Sequence, residues 1–254
     1  MRDARRLTLL TSLALALAAM AVGARAQDKA EPNPLRAQPK SNEAWWMQRH
    51  EKFLERTKKG DVGLLFIGDS ITQGWEQPGQ DGKAGPAEIW ERFYGPRQAA
   101  NLGIGGDQTG HVLWRLDHGE VEGITPKVAV VMIGTNNVPS GDSPEDIAAG
   151  IKAVVAKLRE KLPETKVLLL AVFPRGEKPN ALRDRIKEIN ERISKLDDGG
   201  KHVKYLDIGQ NFLADDGTLP KDVMPDSLHL SPKGYRIWAD AIEPTLWDLM
   251  ERKS

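Results

Sequence analysis

Short apolar runs alternate with amphipathic segments along most of the chain. The runs are rich in valine, isoleucine and leucine, which is typical of strands buried on both faces of a sheet. They predict strands at 62–67, 99–104, 127–133, 166–173 and 203–208. Because helical segments separate these strands, we expect an α/β protein: a three-layer α/β/α sandwich with a mostly parallel sheet of about five strands, in a single domain.

Apolar residues recur at helical spacing between the predicted strands. The pair Ser143-Pro144 starts a helix that runs to about 162, with Pro144 at the first helical position. Its apolar stripe consists of Ile147, Ile151, Val154, Val155 and Leu158. Further helices are predicted at 42–59, around 89–93, around 111–116, at 180–196 and at 232–250.

Two features between these elements leave alternatives open. The pair Trp45-Trp46 is compatible with a sugar-binding platform, but we expect at least one of the two rings to pack the first helix onto the sheet. Residues 77–86 form a glycine- and proline-rich loop close to the end of the first strand. The sequence does not decide whether this loop is a wall of a pocket or a solvated surface loop.

The N-terminal residues have the pattern of a secretory signal peptide. A basic start precedes an uncharged apolar run at 7–22, and Ala24-Arg25-Ala26 is a small-x-small cleavage site. A retained membrane anchor is disfavoured because the run is short for a span, and the pair Arg5-Arg6 is a poor twin-arginine signal. We therefore expect a signal peptide at 1–26, a proline-containing linker at 27–41 and one domain at 42–254, in a secreted or periplasmic protein.

Composition narrows the classes of partner. The chain carries 36 basic and 36 acidic residues, and removal of residues 1–26 would leave a net charge of −3. A nearly neutral surface gives no electrostatic reason to bind nucleic acid or an anionic membrane. The absence of cysteine excludes disulfides, thiolate nucleophiles and cysteine-based zinc sites. The oligomeric state stays open, with a homodimer as one alternative.

Ser70 follows the first predicted strand through Gly68 and Asp69. Open α/β proteins bind ligands at the carboxyl ends of their strands, so this hydroxyl is a candidate nucleophile. Such a serine requires a base, a group that orients the base, and donors for an oxyanion. We interpret Asp69 as a structural residue of the turn.

Two later strand exits offer oxyanion donors. The stretch Gly103-Ile-Gly-Gly-Asp107 opens a helix, and its backbone amides face the same sheet edge. A dinucleotide fingerprint is excluded because Gln108 stands where that motif requires glycine or alanine. Asn136 follows the next strand, where its side chain is either a turn residue or a donor to a developing negative charge.

A base and its orienting carboxylate lie near the C-terminus. Asp226 precedes His229 by three residues in a loop between Pro225 and Pro232. In a tight loop this acid can accept from the imidazole Nδ1–H, which leaves Nε2 for the serine. The pattern Asp-x-x-His is weak by itself, since it occurs often by chance.

Taken together, these four segments resemble the SGNH (GDSL-type) hydrolase superfamily, whose blocks are Gly-Asp-Ser, a glycine, Gly-x-Asn and Asp-x-x-His. Connecting stretches such as His111-Val-Leu-Trp-Arg-Leu116 and Gly134-Thr-Asn-Asn137 are similar to the catalytic subunits of platelet-activating-factor acetylhydrolase Ib and their bacterial relatives. The resemblance covers residues 42–250 and implies a flavodoxin-like sheet. Two departures are Ile71, which replaces the leucine of the family name, and the loop 77–86, which we interpret as an insertion.

The resemblance implies a role for each residue. Ser70 is the nucleophile, His229 the general base and then acid, and Asp226 the orienting carboxylate. The oxyanion hole consists of the Ser70 amide, the Gly106 amide and the Asn136 side chain. Gly106 is preferred to its neighbour because the donor in the family directly precedes the aspartate.

No metal and no cofactor are expected, because the remaining histidines lack ligand partners at metal spacing. His111 and His118 are interpreted as structural residues of one helix, and His50 and His202 as surface residues.

The expected function is a secreted serine esterase that hydrolyses short-chain esters, above all O-acetyl groups on carbohydrate, through an acyl-enzyme intermediate. The resemblance points to the acetyl group, while export and the lack of a broad apolar lid favour carbohydrate over long-chain lipid. Two alternatives remain: an acetylhydrolase or lipase acting on lipid-like esters, and a non-catalytic carbohydrate-binding protein on the same fold.

Overall fold

The computed structural model describes residues 33–40 and 43–251. Its centre is a parallel sheet of five strands in the order β2-β1-β3-β4-β5. The strands are β1 (Leu64–Gly68), β2 (Ala99–Gly103), β3 (Val128–Met132), β4 (Lys166–Leu170) and β5 (Val203–Leu206). All five predicted strands are therefore present, and the α/β class is confirmed.

Helices cover both faces of the sheet. They are α1 (Ala44–Thr57), α2 (Ser70–Gln73), α3 (Pro86–Phe93), α4 (Thr109–Asp117), α5 (Pro144–Lys161), α6 (Ala181–Ile193) and α7 (Pro232–Glu251). Alternate residues of each strand point to opposite faces. Leu65 and Ile67 accordingly pack with α1, α4, α5 and α6, whereas Leu64 and Phe66 pack with α3 and α7. The result is the three-layer sandwich that the pattern predicts.

The register of the central strands aligns their carboxyl ends. Gly68 of β1 pairs with Gly103 of β2 on one side and with Met132 of β3 on the other. The segments after these three strands therefore leave the sheet at the same level. This alignment brings the serine, glycine and asparagine segments of the sequence to one edge.

The fourth strand is shorter than predicted. Residues 166–173 read as one apolar run, but β4 ends at Leu170. Beyond it, the backbone amide and carbonyl of Val172 bond to the side chain of Asn190, at 2.9 and 3.0 Å. A side chain thus replaces the neighbouring strand as hydrogen-bond partner, although residues 171–173 stay buried.

The tryptophan pair divides between core and surface. The Trp46 ring is fully buried, whereas Trp45 is 46% exposed. The prediction that at least one ring packs the first helix onto the sheet is confirmed. His50, one turn later, was expected at the surface, and this was wrong. It is buried between the rings of Trp46 and Trp114, with centroids 6.1 and 5.3 Å away.

The expected signal peptide 1–26 lies outside the described residues, but the expected linker 27–41 overlaps them. Residues 33–40 pack on the domain, so the linker expectation does not hold for them. Pro34 is buried, its carbonyl accepts from Thr109 Oγ1 at 2.7 Å, and the Gln38 amide donates to the Gly110 carbonyl at 3.2 Å. A Cβ on Gly110 would overlap the Arg36 carbonyl, so a glycine permits this close approach.

Candidate active site

Ser70 is the first residue of α2, directly after β1 and Asp69. The Asp69 carboxylate caps this short helix, because its Oδ1 accepts from the Ile71 amide at 3.0 Å. Gly68 is required at the strand exit, since a Cβ there would overlap the Thr72 hydroxyl and the Met132 carbonyl. Gly68 thus lies in close contact with both the nucleophile turn and β3, and Ser70 itself is half-buried.

His229 lies in the loop before α7 and contacts the serine directly. Its Nε2 is 2.9 Å from Ser70 Oγ, and its Nδ1 is 2.6 Å from Asp226 Oδ2. The carboxylate can only accept, which assigns the proton to Nδ1 and leaves Nε2 to accept from the serine hydroxyl. Ser70, His229 and Asp226 therefore form one hydrogen-bonded chain.

The backbone of this loop holds the carboxylate beneath the imidazole. Asp226 Oδ1 accepts from the amides of Leu228 and His229 at 3.0 and 2.7 Å. Ser227, between them in the turn, has a φ of +61°, a left-handed conformation that is uncommon outside glycine, asparagine and aspartate. The curl that the Asp-x-x-His spacing predicts is therefore present, and it depends on one strained residue.

Hydrogen bonds favour the ionised form of Asp226. Burial opposes ionisation, but the bonds from the His229 ring and from the two backbone amides outweigh it and lower the pKa of this carboxyl below its ordinary value. Both side chains remain accessible, with His229 44% and Asp226 55% exposed. An anionic carboxylate beside an open imidazole suits a base that must receive a proton from the serine.

The glycine turn after β2 lies against the nucleophile. The Gly105 amide donates to Gln73 Oε1 at 2.7 Å, and a Cβ on Gly105 would stand 3.9 Å from Ser70 Cβ. Gly106 follows with a φ of +72°. Its amide donates to no group within residues 33–40 and 43–251, so this N–H is available to a ligand.

Asn136 approaches the same turn from the end of β3. Its Nδ2 donates to the Asp107 carbonyl at 2.9 Å, and its own carbonyl accepts from Gln108 Nε2 at 3.3 Å. A side-chain amide has two N–H groups, so the second hydrogen on Nδ2 can serve another acceptor. All five predicted site residues are thus gathered at one sheet edge, although the hydrogen bond of Asn136 is to the glycine turn and not to Ser70.

A buried network of ionic and hydrogen bonds holds the glycine turn at Asp107. Asp107 accepts from Trp46 Nε1 at 2.6 Å and from Arg115 Nε at 2.9 Å, and Arg115 also pairs with Glu120. Burial raises the pKa of Asp107 to about 6, against the opposing effects of the Arg115 charge and the Trp46 hydrogen bond. The network joins α1 and α4 to the residue that follows Gly106.

An open cleft gives access to the serine. It has a volume of about 460 Å³ and is lined by Ser70, Gln73, Gly74, Glu76, Gln77, Pro78 and His229. Gln77 and Pro78 belong to the loop 77–86, so this loop does contribute to a wall of the site. Glu76 is held at the rim by Arg49 through two hydrogen bonds of 2.8 and 3.0 Å.

Several residues that hold the site were not among the predicted site residues. Gln73 and Trp46 bond to the glycine turn, and Arg175 bonds to the Thr135 carbonyl at 2.9 Å, next to Asn136. Lys40 bonds to the Gly105 carbonyl from a segment that we expected to be a linker. Their roles arise from contacts between distant parts of the chain, which no local spacing encodes.

Two further findings concern the described part of the chain. None of its helices combines the length and the hydropathy needed to cross a membrane. Within the same residues, no three histidine or acidic side chains are grouped as metal ligands.

A serine joined to an imidazole and a carboxylate, at the carboxyl edge of a parallel sheet, defines a serine hydrolase site. The model of the GDSL-like Lipase/Acylhydrolase family matches residues 66–237. Human platelet-activating factor acetylhydrolase IB subunit alpha1 is 38% identical over 220 residues, which is 87% of this chain and 90% of that protein. The chain belongs to the GDSL-like lipase/acylhydrolase family, and it is an ester hydrolase.

Solved structures have the same fold. A GDSL-like lipase from Bacteroides thetaiotaomicron is similar with a TM-score of 0.62 at 19% identity, over 78% of this chain and 97% of that one. A carbohydrate acetylesterase from Sinorhizobium meliloti is similar with a TM-score of 0.51 at 18% identity, over 74% and 99%. The predicted resemblance to SGNH hydrolases is therefore confirmed.

Proposed function

We propose that this protein is an esterase that removes acetyl groups from carbohydrate through an acyl-enzyme intermediate on Ser70. The observation that carries the proposal is the continuous hydrogen-bonded chain from Ser70 Oγ through His229 to Asp226, which opens into a cleft. Each residue has the contact that its proposed role requires.

The proposed reaction proceeds in two steps. Ser70 Oγ attacks the ester carbonyl while its proton passes to His229 Nε2, and Asp226 stabilises the imidazolium that forms. The negative oxygen is held by the amides of Ser70 and Gly106 and by Asn136 Nδ2. His229 then protonates the departing alcohol. A water molecule, deprotonated by the same imidazole, attacks the acyl-enzyme, and the acid is released as the imidazolium returns the proton to Ser70 Oγ.

The cleft supports a polar alcohol. Gln73, Glu76 and Gln77 place amide and carboxylate groups beside the serine, and these can bond to sugar hydroxyls. A long acyl chain would instead require continuous apolar lining. The similar protein from Sinorhizobium meliloti is a carbohydrate acetylesterase, which agrees with this substrate class.

A lipid-like acetyl ester is the second candidate. It is favoured by the 38% identity to the platelet-activating factor acetylhydrolase subunit. The two candidates share the acetyl group and differ in the alcohol. A hydrolysis panel of acetylated xylo-oligosaccharides, nitrophenyl esters of two to twelve carbons and an acetyl phospholipid separates them. Turnover of the phospholipid without turnover of any acetylated sugar would favour the second.

The test of the chemistry is Ser70→Ala. We expect this variant to lose hydrolysis of nitrophenyl acetate and labelling by a fluorophosphonate probe, with an unchanged circular dichroism spectrum. Unchanged turnover in the purified variant would reject the proposed nucleophile. A wild-type protein that neither reacts with the probe nor hydrolyses any ester would favour the non-catalytic carbohydrate-binding protein.

We also propose that the protein is exported, on the basis of the basic start, the apolar run and the Ala24-Arg25-Ala26 site in the sequence. Expression of the full chain should give a mature protein that begins at Gln27 and is found outside the cytoplasm. N-terminal sequencing of the fractionated protein tests this, and an intact Met1 in the cytoplasmic fraction would reject it.

A further inference from the structure

Lys40 reaches the glycine turn from outside the motifs of the family. Its Nζ donates to the Gly105 carbonyl at 2.9 Å, and its side chain is only 15% exposed. A Cβ on Gly106 would stand 2.6 Å from this Nζ. The ammonium group therefore lies at the peptide that joins Gly105 to Gly106.

This peptide is the unit that carries the proposed oxyanion donor. Its carbonyl belongs to Gly105 and its N–H to Gly106, and in a planar trans peptide the two groups point in opposite directions. The Lys40 ammonium lies on the side of the peptide that carries the carbonyl oxygen. Ser70 lies near Gly105 Cα, and in a trans peptide this Cα is on the same side as the Gly106 N–H. The geometry thus has a cation on one side of the peptide and the nucleophile on the other.

A cation on the carbonyl changes the peptide in two ways. It fixes the orientation of a glycine-glycine peptide, which otherwise rotates easily because neither residue has a side chain. It also polarises the amide, so that the N–H becomes a stronger donor to an anion. Both effects favour the transition state, in which the carbonyl oxygen of the substrate is negative.

The backbone that precedes Lys40 is itself anchored on the domain. The Pro34 carbonyl and the Gln38 amide bond to Thr109 and Gly110, at the start of the helix that follows the turn. Other attractions of the ammonium group are weaker: Glu43 is 4.0 Å away and the Trp45 ring centroid 5.5 Å. Within the described residues, the Gly105 carbonyl is the group to which the ammonium donates a hydrogen bond, while its charge also attracts the buried Asp107 carboxylate.

We propose that Lys40 is a positioning residue for the oxyanion hole, which holds and polarises the Gly105–Gly106 peptide. This inference rests on the proposed serine esterase chemistry. A purely structural role, in which Lys40 only attaches residues 33–40 to the domain, would affect stability without a selective effect on kcat.

The experiment compares three variants of the full-length protein: Lys40→Met, Lys40→Arg and, as a matched control, Lys52→Met, which removes a positive charge from the exposed side of α1. We measure kcat and KM for nitrophenyl acetate, Tm, and the rate of phosphonylation by a fluorophosphonate, whose phosphoryl oxygen occupies the oxyanion hole. Assays are run at least 20 °C below the Tm of each variant, so that every measurement is made on folded protein.

We expect Lys40→Met to lower kcat and the phosphonylation rate by about tenfold each, because the N–H donor stays in place but loses its support. KM should change less than twofold, Lys40→Arg should restore kcat to within about threefold of the wild type, and Lys52→Met should behave as the wild type. Wild-type kcat in Lys40→Met would overturn the inference, as would a loss of activity that Lys40→Arg does not restore. Activity in Ser70→Ala would instead reject the esterase proposal itself, so the two failures are distinguishable.

Discussion

Asp69, the residue before the proposed nucleophile, makes the stability of this protein depend on pH. Its side chain is fully buried; Oδ1 accepts from the Ile71 amide, and Oδ2 has no hydrogen-bond partner within the described residues. Burial raises the pKa of this carboxyl to about 7, although the hydrogen bond from the Ile71 amide opposes the shift. At pH 6 the folded protein therefore keeps a proton here that the unfolded chain has lost.

The sign of the effect follows from this difference. Between the unfolded pKa and the folded pKa the native state binds more protons, so the free energy of unfolding decreases as pH rises through this range. A shift from 3.8 to about 7 corresponds to about 4 kcal/mol at 1.36 kcal/mol per unit of pKa. Of this total, about 2.5 kcal/mol falls between pH 5 and pH 8.

Asp69→Asn isolates the contribution. The amide keeps an oxygen for the Ile71 N–H but does not ionise. Between pH 5 and pH 8, the free energy of unfolding of the variant should therefore fall by about 2.5 kcal/mol less than that of the wild type. Urea denaturation followed by tryptophan fluorescence at pH 5, 6, 7 and 8 measures the slope for each protein. Effects of the substitution other than the lost ionisation change the stability by the same amount at every pH, so only the difference in slope is diagnostic.

The control is Asp215→Asn, at an exposed carboxylate far along the sequence. It should reproduce the pH dependence of the wild type. Parallel curves for the wild type and Asp69→Asn would refute the reasoning, because they would show that the Asp69 carboxyl does not titrate differently in the folded and unfolded states.

Three further variants test the candidate site and its support. Asn136→Ala should lower kcat for nitrophenyl acetate by about 10²–10³, which is the usual effect of losing one oxyanion donor; steady-state kinetics checks this, and unchanged kcat would remove Asn136 from the hole. Ser227→Val should lower the stability by about 1–3 kcal/mol because a β-branched residue is strained at positive φ, whereas Ser227→Gly should not; thermal scans that rank the two variants equally would contradict this. Arg115→Met should destabilise the protein by about 3–5 kcal/mol in urea unfolding, because Asp107 and Glu120 would keep buried charges without their partner.

Much of the fold was predictable because the sheet is buried on both faces. Segments such as Val128–Met132 consist almost entirely of β-branched and apolar residues, which is typical of a parallel strand covered on both faces. Pro144 marks the first residue of α5, as expected from its fixed φ and missing N–H. These signals are local, so a single sequence contains them.

Local patterns did not reveal the support of the site, and the order of the strands followed only from the family resemblance, which implies a flavodoxin-like sheet. Trp46 and Asp107 are 61 residues apart in the sequence, and Lys40 and Gly105 are 65 apart. Such contacts depend on how distant segments of the chain pack against each other, and not on the spacing of residues within one segment. The proline-containing composition of residues 33–40 was misleading for a related reason: it is typical of a linker, but it does not prevent packing through carbonyl groups, which is what Pro34 does.

The support of the glycine turn has a physical reason. An oxyanion donor lowers the barrier only if it is oriented before the reaction, because reorienting it during the reaction would consume the stabilisation. Gly106 at positive φ gives the turn its shape but no rigidity of its own. Rigidity comes from outside: Gln73 holds the Gly105 amide, and the side chains of Trp46 and Asn136 bond to Asp107. These contacts come from three separate elements, so a displacement of any one of them is opposed by the other two.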